Sequence, residues 1–183
     1  MTTYISILRG INVSGKNIIK MDALRKMYEK LCFDNITTYI QSGNIVFRSV
    51  ETKPEKLEKE ISNQIKKDFG FDVPVIVLTV DNLQRIVDDS PFSQDQNFSH
   101  ITFLTSKPEK YDLKAIEEKK LGGEEVYITE KAVYLYCPNG YGRTKLNNTF
   151  LETKLKVGAT TRNLKTAAKL LQIAKETIWE ICP

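Results

Sequence analysis

The chain has 183 residues, 41% of them hydrophobic and 27% charged, with 27 Lys and Arg against 23 Asp and Glu. That composition is globular and excludes a disordered or low-complexity chain. The formal charge of +4 is too mild for a dedicated duplex-DNA binder, although it leaves room for a local basic patch.

No targeting signal is expected, because the opening run Met1 to Leu8 has no basic flank and Arg9 ends it far short of a membrane span. The three cysteines, Cys32, Cys137 and Cys182, are an odd number without C-x-x-C spacing, which predicts free thiols in a reducing cytoplasm. Cys32 falls beside the apolar positions of a helix, where a thiol is expected to be a small buried hydrophobe.

In chain order, Tyr4 to Leu8 reads as a strand. Leu24, Met27, Tyr28 and Leu31 recur at helical spacing, with Asp22 placed to cap them. The β-rich runs Thr37 to Ile40 and Ile45 to Phe47 flank Gln41-Ser42-Gly43-Asn44, a hairpin turn. Pro54 opens a helix lined by Leu57, Ile61, Ile65 and Phe69, and Gly70 closes it. Val73 to Leu78 is a continuous apolar run, the pattern of a strand buried on both faces. The order is β-α-β-β-α-β, a ferredoxin-like arrangement.

A short helix over Asp81 to Asp89 and a polar linker over Ser90 to Asn97 follow. The order then repeats. Ile101 to Leu104 is a strand, Pro108 to Ile116 a helix, and Val126 to Ile128 and Ala132 to Tyr136 a hairpin around Thr129-Glu130-Lys131. Leu146, Phe150, Leu151 and Leu155 stripe a helix, Ala159 to Thr161 is the last strand, and Asn163 caps a terminal helix. The fold expected is therefore α+β, with duplicated ferredoxin-like units: residues 1–80, a linking helix and loop over 81–99, and residues 100–183 with a C-terminal helix.

Polar residues gather in three loops. In the first, Gly10 to Lys16 has the G-x-x-x-x-G-K spacing of a phosphate-binding loop, and Asp81 after Val75 to Leu78 resembles its aspartate partner. Against this, Asn17 replaces the Ser or Thr that would bind magnesium, Ile18 to Met21 separate Lys16 from its helix, and hairpins stand where parallel crossovers belong. The second loop runs from Cys137 to Lys145 and on to Asn147, and the third is Thr161-Arg162-Asn163. Turn and cap chemistry accounts for Asn139-Gly140, Gly142 and Asn163, but not for Arg143, Lys145 and Arg162 falling together.

The segments Leu8 to Val13, Gly15-Lys16-Asn17, Tyr39 to Asn44, Gly142 to Asn147 and Ala159 to Asn163 resemble the signatures of a bacterial family, number 1697 among the domains of unknown function. Ser14 and Thr144 depart from it mildly, where glycine and serine are common. The resemblance implies an α+β protein of repeated ferredoxin-like units and implies no activity.

Other chemistry finds little support. His100 is the sole histidine, which leaves a Ser-His-Asp device and a zinc site without partners. Glu117-Glu118 and Glu124-Glu125 lie in charge-rich segments of the kind found on solvated faces. No cofactor and no metal is indicated, and no membrane partner is expected. An RNA-recognition sheet would want alternating aromatics, and Tyr4, Phe47, Tyr134 and Tyr136 match it in part.

Two functions from different classes stand open. One is binding of a small anionic, phosphorylated or nucleotide-like ligand at the loop edges, possible enzyme activity included. Its residues are Arg9, Asn12, Lys16, Asn17, Gln41 and Asn44 in the first unit and Arg143, Lys145, Asn147, Arg162 and Asn163 in the second. The other is binding of RNA or single strands through the basic loops or the sheet face. Strand directions place Arg9 to Asn17 and Gln41 to Asn44 at one edge of the first unit, and Pro138 to Lys145 with Arg162 and Asn163 at one edge of the second. Helix N-termini near Asp22, Thr144 and Asn163 would favour anions there. The competing reading is that these arginines tie down loops through backbone carbonyls.

Overall fold

Four strands, β1 (Thr2–Leu8), β2 (Asp34–Tyr39), β3 (Asn44–Ser49) and β4 (Val75–Thr79), form an antiparallel sheet in the order β2-β3-β1-β4. The computed structural model describes residues 1–179, so Cys182 lies outside the described residues. Alternation along β1 sends Tyr4 and Leu8 to one face, where they meet Ile45 and Phe47 of β3 and Val75 and Val77 of β4. Two helices, α1 (Met21–Lys30) and α2 (Pro54–Phe69), cover that face with Leu24, Met27 and Tyr28 and with Leu57, Ile61 and Ile65. A polar pair in this core is satisfied internally, Ser6 Oγ and Tyr28 Oη lying 2.8 Å apart. Ile5, Ile7 and Val46 are buried as well, so the central strands are covered on both faces, not β4 alone.

The second sheet repeats the plan. Strands β5 (Ser99–Leu104), β6 (Glu125–Ile128), β7 (Ala132–Tyr136) and β8 (Ala159–Asn163) are antiparallel in the order β6-β7-β5-β8. Leu104, Val133, Leu135 and Ala159 pack with Ile116 of α4 (Leu113–Glu117) and with Leu151 and Leu155 of α5 (Asn148–Leu155). On the other face Tyr134 donates from its hydroxyl to Ile86 O, 2.9 Å away, in α3 (Val80–Asp88). The architecture is α+β, and each element order is compatible with a ferredoxin-like unit.

Compactness divides the chain into Met1–Gln84 with the residues from Lys169 on, and Arg85–Ala168. The division cuts α3 after Gln84, within the segment expected to link the units. It also assigns most of α6 (Leu164–Trp179) to the first unit rather than to the second. A helical stripe records that a face is buried but not which core buries it.

Several element ends differ from the sequence reading, each for a local reason. Helix α1 begins at Met21, with Lys20 at its cap position and Asp22 inside the first turn, where it faces the helix dipole instead of capping. Helix α4 starts only at Leu113 rather than at Pro108 because Asp112 caps it, accepting from Ala115 N at 3.1 Å. Helix α5 starts at Asn148, capped by Asn147, which accepts from Phe150 N at 3.0 Å. Thr144 lies before that helix and accepts from Leu146 N instead. Cys32 is exposed rather than buried, because φ of +59° turns the chain just beyond α1.

Candidate functional site

At one edge of the first unit the loop after β1 and the β2–β3 turn are bonded together. Leu8 N donates to Gly43 O at 2.8 Å. Asn12 joins the two segments, its Nδ2 donating to Ile19 O and to Gln41 O, both at 2.9 Å, while its Oδ1 accepts from Ile19 N at 2.9 Å. Asn17 Nδ2 donates to Gly10 O at 3.1 Å, and the buried Asn44 donates to Tyr39 O and Ser42 Oγ. These amides are committed to backbone shape, as are the left-handed conformations of Asn12 and Asn17. Gly43 is required here, since a Cβ on it would stand 2.7 Å from Leu8 Cβ at a φ of +77°.

Lys16 is exposed, on a tight turn where its N–H donates to Val13 O at 2.9 Å, and α1 begins only at Met21. The G-x-x-x-x-G-K spacing therefore stands outside the strand-to-helix context that gives a phosphate-binding loop its chemistry. Arg9 is partly buried and donates its backbone N–H to Pro74 O. A cavity of about 280 Å³ opens on this edge, lined by Asn12, Ile18, Ile19, Lys20, Met21 and Gln41.

At one edge of the second unit, the loop after β7 folds back on the start of β5. Cys137 N donates to Phe98 O at 2.9 Å, and a single 3-10 turn over Tyr141–Arg143 follows. That turn stacks the Tyr141 ring on the imidazole of His100, with centroids 4.8 Å apart and planes 24° from parallel. In register, His100 faces Asn163 and Ile101 faces Arg162. Arg162 is partly buried, and its Nη1 donates to Thr161 O at 2.9 Å. Burial lowers the guanidinium pKa to about 10, with the Tyr141 phenol acting in the opposite direction.

Asn163 Oδ1 accepts from Lys165 N at 2.8 Å and caps α6, while its Nδ2 donates to Asn97 O at 3.1 Å. Lys165 Nζ is bonded to Asn97 Oδ1. The structure thus gathers Arg162, Asn163, Lys165, Tyr141 and His100, while Arg143, Lys145 and Asn147 are exposed on the loop. Tyr141, His100, Asn97 and Lys165 were not legible as site residues. The one available signal was Tyr141 between Gly140 and Gly142, an aromatic set in a turn. The Thr161 bond is of the loop-tying kind, so Arg162 serves the backbone whatever else it does.

The aromatics that suggested an RNA-binding sheet are packing residues. Tyr4 and Phe47 sit in the helix-covered core of the first unit, and Tyr134 is buried with its hydroxyl bonded to Ile86 O. Tyr136 is half-buried between Phe92 and Phe98. Cys137 is buried, and burial with the nearby Glu124 charge pushes its thiol up to about 11, so it is a packing residue rather than a nucleophile. Among the described residues no cluster of His, Cys, Asp and Glu could hold a metal ion, and no helix is long and apolar enough to cross a membrane.

The model of the family described as "Protein of unknown function (DUF1697)" matches residues 1–134. The match takes in the Leu8–Val13 and Tyr39–Asn44 segments and ends before Gly142. Among solved structures, the chain is similar to the conserved bacterial protein SP0830 from Streptococcus pneumoniae. The two are 26% identical with a TM-score of 0.73, over 94% of this chain and 98% of that one. No curated protein matches the chain.

Proposed function

Given that the chain belongs to the DUF1697 family, described as proteins of unknown function, we propose that it binds a small phosphate-bearing anion at the Tyr141–Arg162 edge of its second unit. The observation carrying this reading is the placement of Arg162. Its guanidinium is drawn far enough inside for burial to lower its pKa, yet it stays charged at neutral pH. A cation held this way gains from an anion more than a solvated one does, because less of the attraction is lost to water. The bond to Thr161 O helps to hold the planar fork, and a fork suits the paired oxygens of a phosphate or carboxylate.

Two further features support the same ligand class. Arg162 lies two residues before α6, a helix of 16 residues, whose N-terminal end carries partial positive charge. Arg143 and Lys145 are exposed on the adjoining loop and add long-range attraction for an incoming anion.

The test is a thermal-shift screen of the full chain against phosphorylated metabolites, mononucleotides and short RNA. A mononucleotide or phosphometabolite should raise Tm in a saturable way, and Arg143→Ala with Arg162→Ala should abolish that rise. Circular dichroism should show the double variant still folded. Undiminished binding by the folded double variant would refute the site. Binding only of longer strands, with steep salt dependence, would assign the chain to nucleic acid instead.

A further inference from the structure

We propose that the loop edge of the first unit is a docking surface for an acidic protein segment that inserts one aliphatic or aromatic side chain. This inference is independent of the anion site in the second unit. Three aliphatic side chains stand out of this one edge: Val13 is 55% exposed, Ile18 59% and Ile40 50%. Single exposed apolar residues are ordinary, but three on one loop edge, with Ile18 also in the wall of a cavity, are a patch that water disfavours. The cavity has about 280 Å³, with Ile18, Ile19 and Met21 in its wall. That is room for one side chain.

Ile40 carries a second anomaly. It adopts a φ of +50°, a left-handed conformation that a β-branched residue avoids and that Asn or Gly takes readily. Neither solubility nor turn geometry favours isoleucine there. A partner that covers the side chain does.

Charge identifies the partner. The segments 9–20 and 39–44 contain Arg9, Lys16 and Lys20 and no Asp or Glu. The first carboxylate of the chain is Asp22, beyond the cavity wall in the first turn of α1. Two segments that carry only positive charge disfavour a second copy of themselves and attract an acidic chain, and Asp72, on the neighbouring loop before β4, is already paired with Lys66. Concavity separates a protein segment from a bilayer, because a membrane surface is met by protruding side chains and leaves a side-chain-sized cavity unfilled. The exposed Gln41 amide, at the cavity rim, offers a donor and an acceptor to the backbone of the inserted segment.

The experiment uses the full chain and short fluorescent peptides rich in Asp and Glu, with Leu, Phe or Ala at the centre. Fluorescence anisotropy should show saturable binding of the Leu or Phe peptide, weakened by salt, and at least about tenfold weaker binding of the Ala peptide. Ile18→Ser and Lys16→Glu should each weaken the Leu peptide. Ile40→Asn supplies the internal control for folding: it relieves the left-handed strain, so Tm should hold or rise while peptide affinity falls. No binding by any acidic peptide overturns the proposal. So does binding that ignores Ile18 and Ile40, or retention on phosphatidylglycerol vesicles in place of peptide.

Discussion

The imidazole of His100 lies against the phenol ring of Tyr141, 4.8 Å between centroids, and that stack seals the start of β5 beneath the loop after β7. Burial in this position lowers the pKa of His100 below its ordinary 6.5, with the hydrogen bond between Nδ1 and Phe98 O acting the other way. The unfolded chain therefore binds more protons than the folded one between the folded pKa and 6.5. Stability from the neutral imidazole is complete above that window and is lost as pH falls through it. Melting temperatures measured from about pH 7 to about pH 5 should fall more steeply for the native chain than for His100→Gln. Because the chain has one histidine, its imidazole NMR signal gives the folded pKa without assignment.

Asn12 should behave as a structural residue. Asn12→Ala removes two donations and one acceptance and leaves alanine at a φ of +54°, so urea unfolding should show a loss of about 2–4 kcal/mol. Asn12→Gly loses the same hydrogen bonds but tolerates the backbone, and should lose less. An order reversed between these two would contradict the assignment.

Gly43→Ala should be severe. The added methyl meets Leu8 Cβ at 2.7 Å and Ile11 Cδ1 at 2.8 Å, in a backbone conformation that alanine rarely adopts. A loss of about 3 kcal/mol or more is expected by denaturant titration, together with displacement of the β2–β3 turn seen in amide NMR shifts.

The thiols should separate by access. Cys32 is exposed and should react with a disulfide reagent in the folded protein, whereas Cys137, buried and with its thiol pushed up to about 11, should react only on unfolding. Mass spectrometry of the labelled peptides distinguishes the two. Rapid labelling of Cys137 under native conditions would mean that the loop after β7 opens.

Much of the fold was legible because both sheets obey simple periods. The i, i+3, i+4 spacing of Leu24, Met27 and Tyr28 and the turn signal Gln41 to Asn44 each identify an element without help from the rest of the chain. Capping was legible where the acceptor lies beside its donor, as in Asn163 and Lys165 N. The Pro108 to Lys110 segment misled because a proline and mixed charges fit a first helical turn, yet Asp112 competes with it for the cap. The candidate site was the least legible part. The bond from Asn12 to Gln41 O spans 29 residues, and the contact of Tyr141 with His100 spans the second hairpin. Strand directions bring such segments to one edge, but which side chain meets which partner there depends on loop conformation, which no periodic pattern encodes.

One consequence of the chain's division reaches back to synthesis. Residues 85–168 form a unit that is continuous in sequence, whereas the first unit joins residues 1–84 to the helix from Lys169 on. The first sheet is thus made before the second unit but waits for the closing turns of α6 until that unit has been made. The second unit, translated in between, has all its parts in hand sooner. Truncating the chain before Lys169 should therefore deprive the first unit of part of its own surface cover while leaving residues 85–168 intact, an asymmetry that pulse proteolysis of ribosome-stalled chains would expose.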